Sequence, residues 1–178
     1  MLRLFVAIEL PLAVRDALLA AMGGVAGARW QSDEQLHLTL RFIGEVDRHR
    51  AADIAAALGA VNFQPFQLVL AETGTFDRRG RVDTLWVGVR PHDEVAALAK
   101  RIDQALVRIG LPAENRAFLP HITLARFGRE MGQLGGFGGV PPLPFTVRGF
   151  ALWESRLSHD GAHYDVIERY PLAGSFSG

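Results

Sequence analysis

The chain has 178 residues, 49% of them hydrophobic and 21% charged, with 19 basic residues against 19 acidic ones. That length supports one domain, residues 1–178, whose core needs no staple, and the absence of cysteine excludes disulfide frameworks, thiolate metal sites and cysteine nucleophiles. Zero net charge argues against wrapping a long polynucleotide, which calls for a basic surplus, but leaves room for recognition of one phosphate at a chain end.

Residues 2–10 are rich in Leu, Phe, Val and Ile and read as a first strand. Arg3 ahead of an apolar run faintly resembles a signal peptide, but Glu9 and Pro11 interrupt it, so a cytoplasmic, membrane-free protein is expected. LAVRDALLAAMGG then spaces Leu12, Leu18, Leu19 and Met22 helically and stops at Gly23-Gly24. QLHLTLRFIGEV alternates as a strand, and Asp47 is placed to cap a second, alanine-rich helix, HRAADIAAALGAV. FQLVLAETGTF and DTLWVGVR predict a hairpin around DRRGRV. A third helix spans 93–110, closed by Gly110 and Pro112, and HITLARF is again a strand. The Gly-rich stretch 132–142 reads as a surface loop in preference to a lid. FTVRGFALWESRL and AHYDVIERYPL close the chain as two long strands around SHDG. Hairpin-linked strands mixed with helices indicate an α+β fold with antiparallel sheets.

One short pattern occurs twice. His37-Leu38-Thr39-Leu40 and His121-Ile122-Thr123-Leu124 both read His-x-Thr-x in strand-like runs, which suggests two duplicated lobes. In a strand, residues two apart share a face. Each His therefore stands beside its Thr, while the Leu and Ile residues between them turn to the opposite, core-facing side. Two imidazoles across a cleft suit acid–base chemistry, because one ring can be neutral and the other protonated near pH 6.5. The threonine hydroxyls suit non-bridging phosphate oxygens. No metal or other cofactor is expected: each motif supplies one nitrogen and no carboxylate, and HExxH spacing is absent. No GxSxG points to a serine nucleophile, and no GxGxxG or Walker motif follows a strand.

These motifs resemble the signature of the two-histidine (2H) phosphoesterases. The likeness extends in order through RLFVAIELP, Trp30, LHLTLRFIGEV, LWVGV, FLPHITLAR and LWES, with Gly161 and Tyr164. It is to the bacterial RNA 2′,3′-cyclic phosphodiesterase branch, also called 2′-5′ RNA ligase. The resemblance implies a bilobal α+β domain: two antiparallel sheets flank a central cleft, helices lie outside, and each lobe carries one His-x-Thr-x strand. It implies metal-independent hydrolysis of RNA ends or nucleotides bearing a 2′,3′-cyclic phosphate to 2′-phosphomonoesters. By carry-over His37 is the proton donor, His121 the proton acceptor, and Thr39 and Thr123 hold phosphate oxygens. Ligation through a 2′-5′ linkage is the reverse reaction. A non-catalytic binder of RNA ends, or a sister activity on 2′-5′ oligonucleotides or a cyclic ADP-ribose phosphate, is the alternative. A monomer without an obligatory protein partner is the default expectation.

Further residues are weighed on the same faces. Strict alternation puts Arg126 opposite His121, although a bulge would turn it inward, and its place in HITLAR resembles the family's phosphate-binding arginine. Arg41 falls on the His-Thr face by period two and could reach an anionic substrate. Phe42 and Phe127 are expected in the core, Trp30 and Trp153 in core or rim packing, and His49, His92, His159 and His163 on the surface.

Overall fold

The computed structural model describes residues 1–129 and 134–173. Nine strands run along it: β1 Leu2–Glu9, β2 Ala28–Trp30, β3 His37–Val46, β4 Phe66–Arg78, β5 Arg81–Arg90, β6 His121–Phe127, β7 Pro144–Val147, β8 Gly149–Ser158 and β9 Gly161–Pro171. Three helices intervene, α1 Leu12–Ala21, α2 Arg48–Gly59 and α3 Asp93–Arg108.

The local rules that form these elements are plain in the sequence. In α3, Val95, Leu98, Ala99, Ile102 and Leu106 recur at helical spacing and are all buried. Asp93 and Glu94 sit in its first turn and Arg108 in its last, where their charges oppose the helix dipole. Gly110, at φ 96°, lets the chain turn away in a conformation costly for a residue with a Cβ. The Asp47 carboxylate accepts the Arg50 N–H at 2.7 Å and caps α2. The β4–β5 hairpin closes on Arg79 and Gly80, at φ 53° and 75°, the positive pair that a tight two-residue turn requires. Both strands therefore run further than alternation alone predicts.

All strand pairs are antiparallel, in the order β7-β4-β5-β6-β3-β1-β8-β9, with β2 added to β6. The strongly curled sheet is two half-sheets. They meet at a single rung, Leu38 opposite Ile122. Each half places a His-x-Thr-x strand at the seam. Its neighbour is the strand that precedes the intervening helix in the chain, β1 before α1 and β5 before α3. The duplicated architecture expected from the motif is thus visible as a pseudo-two-fold arrangement about that rung. One expectation needs correction: residues 145–157 are not one strand. The chain leaves β7, which pairs with β4 in one half, and after Arg148 enters β8, which pairs with β1 in the other.

One face of the sheet, carrying Leu38, Leu40, Ile122 and Leu124, packs under the helices in the main core. The opposite face carries a smaller cluster of Phe5, Ala7, Ala151 and Trp153. The Gly-rich stretch begins at Gly132 and Gln133, which lie outside the described residues. From Leu134 onward, Leu134, Phe137 and Val140 pack on the main core, as a surface loop does.

Candidate active site

Pairing Leu38 with Ile122 in antiparallel register sets His37 beside Thr123 and Thr39 beside His121, all on the face away from the helices. In a regular ladder the two histidines would be diagonal neighbours, about 7–8 Å apart. A cleft of ≈ 800 Å³ opens over them and is lined by His37, Thr39, His121, Thr123 and Arg126. The same hydrogen bond orients both rings. His37 Nδ1 lies 2.7 Å from the Gln35 carbonyl and His121 Nδ1 2.7 Å from the Leu119 carbonyl. A carbonyl can only accept, so each Nδ1 carries the proton, and in the neutral ring Nε2 is left with a bare lone pair. At His37 that nitrogen meets Thr39 Oγ1 at 3.0 Å.

Each imidazole is wedged among aromatic rings supplied by neighbouring strands. His37 stands 5.0 Å from Phe5, 5.8 Å from Trp153 and 5.2 Å from Tyr164, centroid to centroid. His121 stands 4.9 Å from Phe76 and 6.1 Å from Trp86. Such surroundings hydrate an imidazolium poorly, so desolvation lowers both pKa values. For His37 it overrides the carbonyl hydrogen bond and, with the charges of Arg126 and His121, brings the value from 6.5 to about 4. The His121 value is lowered by the same desolvation and by Arg126. Both rings are therefore neutral in the free protein at pH 7.

A pair of bulges sets which way the side chains beyond each motif point. Where β1 steps from Ala7 to Val6, its β3 partner jumps from Thr39 to Arg41, making Leu40 an extra residue. Where β5 steps from Trp86 to Leu85, its β6 partner jumps from Thr123 to Ala125, making Leu124 extra. One extra residue reverses the facing of every side chain after it. Arg126 thereby enters the cleft. Arg41 leaves it, contrary to the expectation from strict alternation. Only 9% exposed, Arg41 donates from Nε to Asp103 Oδ1 of α3 at 2.8 Å. Its terminal nitrogens donate to the Phe42 and Pro112 carbonyls, and Asp103 also accepts the Glu114 N–H at 3.1 Å. Arg41 is an anchor between β3, α3 and the following loop, with no access to a cleft-bound anion. Phe42 corrects the expectation in the other sense: it lines the cleft and is 53% exposed. Phe127 is buried as expected.

The fold has known counterparts. The profile of the 2′-5′ RNA ligase superfamily matches residues 13–158. The chain belongs to the 2′-5′ RNA ligase superfamily. A protein of Thermus thermophilus named RNA 2′,3′-cyclic phosphodiesterase is 34% identical over 189 aligned positions, covering 97% of this chain and 91% of its own. The Escherichia coli protein of the same name is 31% identical, covering 96% of each. The crystal structure of Escherichia coli LigT complexed with 3′-AMP superposes with a TM-score of 0.80 at 27% identity, covering 97% of this chain and 99% of that one.

In this member of the superfamily, several residues that shape the site carry no sequence signal of their own. Gln35 and Leu119 act through backbone carbonyls. Gln35 also ties its side chain to two elements: Nε2 donates to the Ala162 carbonyl at 2.8 Å, and Oε1 accepts the Ser32 N–H at 3.0 Å. Phe5, Phe76 and Trp86 look like ordinary strand residues until the ladder places them beside a histidine. Trp153 is buried, its indole N–H donating to the Ala7 carbonyl at 3.3 Å, and Trp30 packs against Phe137. His49, His92, His159 and His163 are exposed. Among the described residues no three His, Cys, Asp or Glu side chains are grouped to hold a metal ion, and no helix is long and apolar enough to cross a membrane.

Proposed function

We propose that this chain is a phosphodiesterase that opens RNA 2′,3′-cyclic phosphates to 2′-phosphomonoesters, using His37 and His121 as its acid–base pair and no metal. The observation that carries the reading is the shared face. Two imidazoles, each locked as the Nδ1–H tautomer, turn Nε2 toward one cleft beside two threonine hydroxyls and an arginine. Relatives spanning nearly the whole chain carry the name of this activity.

The donors and acceptors present dictate the steps. The cyclic phosphate lies over the seam, its non-bridging oxygens facing Thr39, Thr123 and Arg126. Water attacks phosphorus while His121 Nε2 takes its proton. As the bond to O3′ breaks, His37 gives its Nε2 proton to that oxygen, leaving the phosphate on O2′. His37 has to be protonated for this step, although it is neutral when the cleft is free. The substrate anion supplies the missing counter-charge: it offsets Arg126 and draws a proton onto the ring. The same site acting in the same sense, with a 5′-hydroxyl in place of water and O3′ again the leaving group, forms a 2′-5′ linkage; abundant water favours hydrolysis. Substrates are RNA ends or nucleotides with a cyclic phosphate. The place of action is the cytoplasm, and the active species is a monomer.

Phosphorus NMR of the reaction with a 2′,3′-cyclic nucleotide in excess chelator tests this directly. The expected product is the 2′-monophosphate, at a rate the chelator leaves unchanged. A 3′-monophosphate product, or loss of turnover with the chelator, overturns the reading.

A further inference from the structure

β2 stands outside the duplicated plan: it adds to β6 in one half, and among the described residues no strand takes the equivalent place against β3 in the other. Its facing follows from alternation. Ala28 and Trp30 pack against the main core, so Arg29 and Gln31 turn to the cleft face. Arg29 lies directly opposite Arg126. Gln31 follows in the cleft wall, its own N–H donating to the Leu124 carbonyl at 2.8 Å. Two like charges facing each other across an antiparallel pair repel, and among the described residues no carboxylate pairs with either arginine. Gln31 is only 9% exposed, yet its carboxamide bonds to no described residue and lines the cleft. A buried amide so placed takes its hydrogen bonds from what enters the cleft.

We infer that β2 carries a second phosphate subsite, in which Arg29 and Gln31 hold the phosphodiester on the 5′ side of the nucleotide bearing the cyclic phosphate. A 2′,3′-cyclic phosphate occupies both hydroxyls of its ribose, so an RNA chain continues from such an end only through O5′. The next anion along the substrate is therefore one ribose away from the phosphate at Thr39, Thr123 and Arg126. Paired strands lie about 4.8 Å apart, and two long arginine side chains leaving adjacent strands can diverge to hold a phosphate at either end of one ribose. Gln31 offers both a donor and an acceptor to the sugar-phosphate link. The subsite makes an RNA end a better substrate than a mononucleotide, and it reads backbone charge without a base contact. One added phosphate contact suits a chain of zero net charge, which a long phosphate track does not.

This inference rests on the hydrolytic reading, and its test has a second arm that does not. In the first arm, kcat/KM is compared for adenosine 2′,3′-cyclic phosphate and for the same nucleotide carrying a 5′-methylphosphate, which adds one phosphodiester and no base. The native protein is expected to favour the 5′-substituted compound about tenfold, Arg29→Gln to shrink that ratio about fivefold, and Gln31→Leu to shrink it about threefold. In the second arm, calorimetry at several salt concentrations compares binding of adenosine 2′-phosphate with and without the 5′-methylphosphate. The same loss of preference is expected in Arg29→Gln. The slope of log affinity against log salt for the 5′-substituted compound should also become shallower by about 0.7, the share of one phosphate contact on a single strand. An Arg29→Gln ratio within twofold of native in both arms overturns the subsite, as does a native protein with no preference for the added phosphodiester. If neither cyclic phosphate is turned over while the binding arm shows the preference and its loss, the hydrolytic reading falls and the subsite stands.

Discussion

The two half-sheets use one backbone plan to present two unlike histidines. Both strands hold the ring by an i−2 carbonyl, both follow it with threonine, and both insert an extra leucine. The side chains around that plan differ. The His37 half surrounds its ring with Phe5, Trp153 and Tyr164 and satisfies Nε2 with Thr39. The His121 half supplies Phe76 and Trp86, and brings Arg126 onto the cleft face. Duplicated geometry thus fixes where two nitrogens stand, and unequal packing decides how readily each takes a proton.

The sharpest way to break this comparison is to remove each ring in turn. His37→Ala and His121→Ala are each expected to lower turnover of a 2′,3′-cyclic nucleotide by about 10²–10⁴-fold. A diester with an activated leaving group separates their roles: 4-nitrophenolate needs no proton to depart, so His37→Ala should lose far less on such a substrate while His121→Ala loses as much. Equal losses on both substrates would undo the assignment of donor and acceptor.

The two arginines come next, because strict alternation and the bulged strand assign them opposite faces. Arg126→Ala should weaken binding of a phosphate monoester about 10–100-fold, the range for a lost charged hydrogen bond. It should also raise the pKa of both histidines, since its cation now depresses them. Histidine NMR titration reads that shift. Arg41→Met is expected to leave phosphate affinity near native and to lower unfolding free energy by about 1–3 kcal/mol by stranding Asp103. An exchange of these two phenotypes would place the bulges wrongly.

The contrast in burial predicts a pH effect of comparable size. The His37 value is about 4 in the fold against 6.5 in the unfolded chain. Its contribution to stability is therefore complete above pH 6.5 and is lost as pH falls toward 4. At about 1.4 kcal/mol per pH unit the loss approaches 3 kcal/mol. Denaturant titrations between pH 7.5 and pH 4 should show His37→Asn losing less stability than the native chain, and parallel curves would show that His37 is not held neutral. Conversely, phosphate binding near pH 5.5 should take up protons, measurable by calorimetry in buffers of different ionisation enthalpy.

The smallest expected effect lies beneath His121. The Trp86 indole lies over Gly74, where any Cβ would overlap the ring. Gly74→Ala should cost about 1–3 kcal/mol and reduce turnover by displacing Trp86 from its contact with His121, whereas Gly80→Asn in the distant hairpin turn should leave turnover unchanged.

The sequence was most informative where short-range periodicity suffices. The faces of His37, Thr39, His121 and Thr123, the capped α2, the stripe on α3 and the antiparallel α+β class all follow from spacing of two or near 3.6. Legibility fails past the leucines. Nothing in Leu40 or Leu124 as residue types announces a bulge, because the extra residue is created by the register with β1 or β5. Arg41 and Phe42 consequently exchange the faces that alternation gives them, and Arg126 enters the cleft only through the bulge, against the face that alternation gives it. The division of 145–157 at Arg148 escapes for a related reason: β7 and β8 are equally strand-like, and only their partners, far away in sequence, assign them to different halves.

The lone Leu38–Ile122 rung carries a last consequence. Main-chain pairing crosses the seam at that one step, so the tilt of each imidazole rests on its own i−2 carbonyl and on the tilted and edge-on rings beside it. The orientation of the two rings is thus a property of side-chain volume as well as of strand pairing. It could be retuned by exchanging one ring for another at Phe5, Phe76 or Trp86 while every strand stays paired.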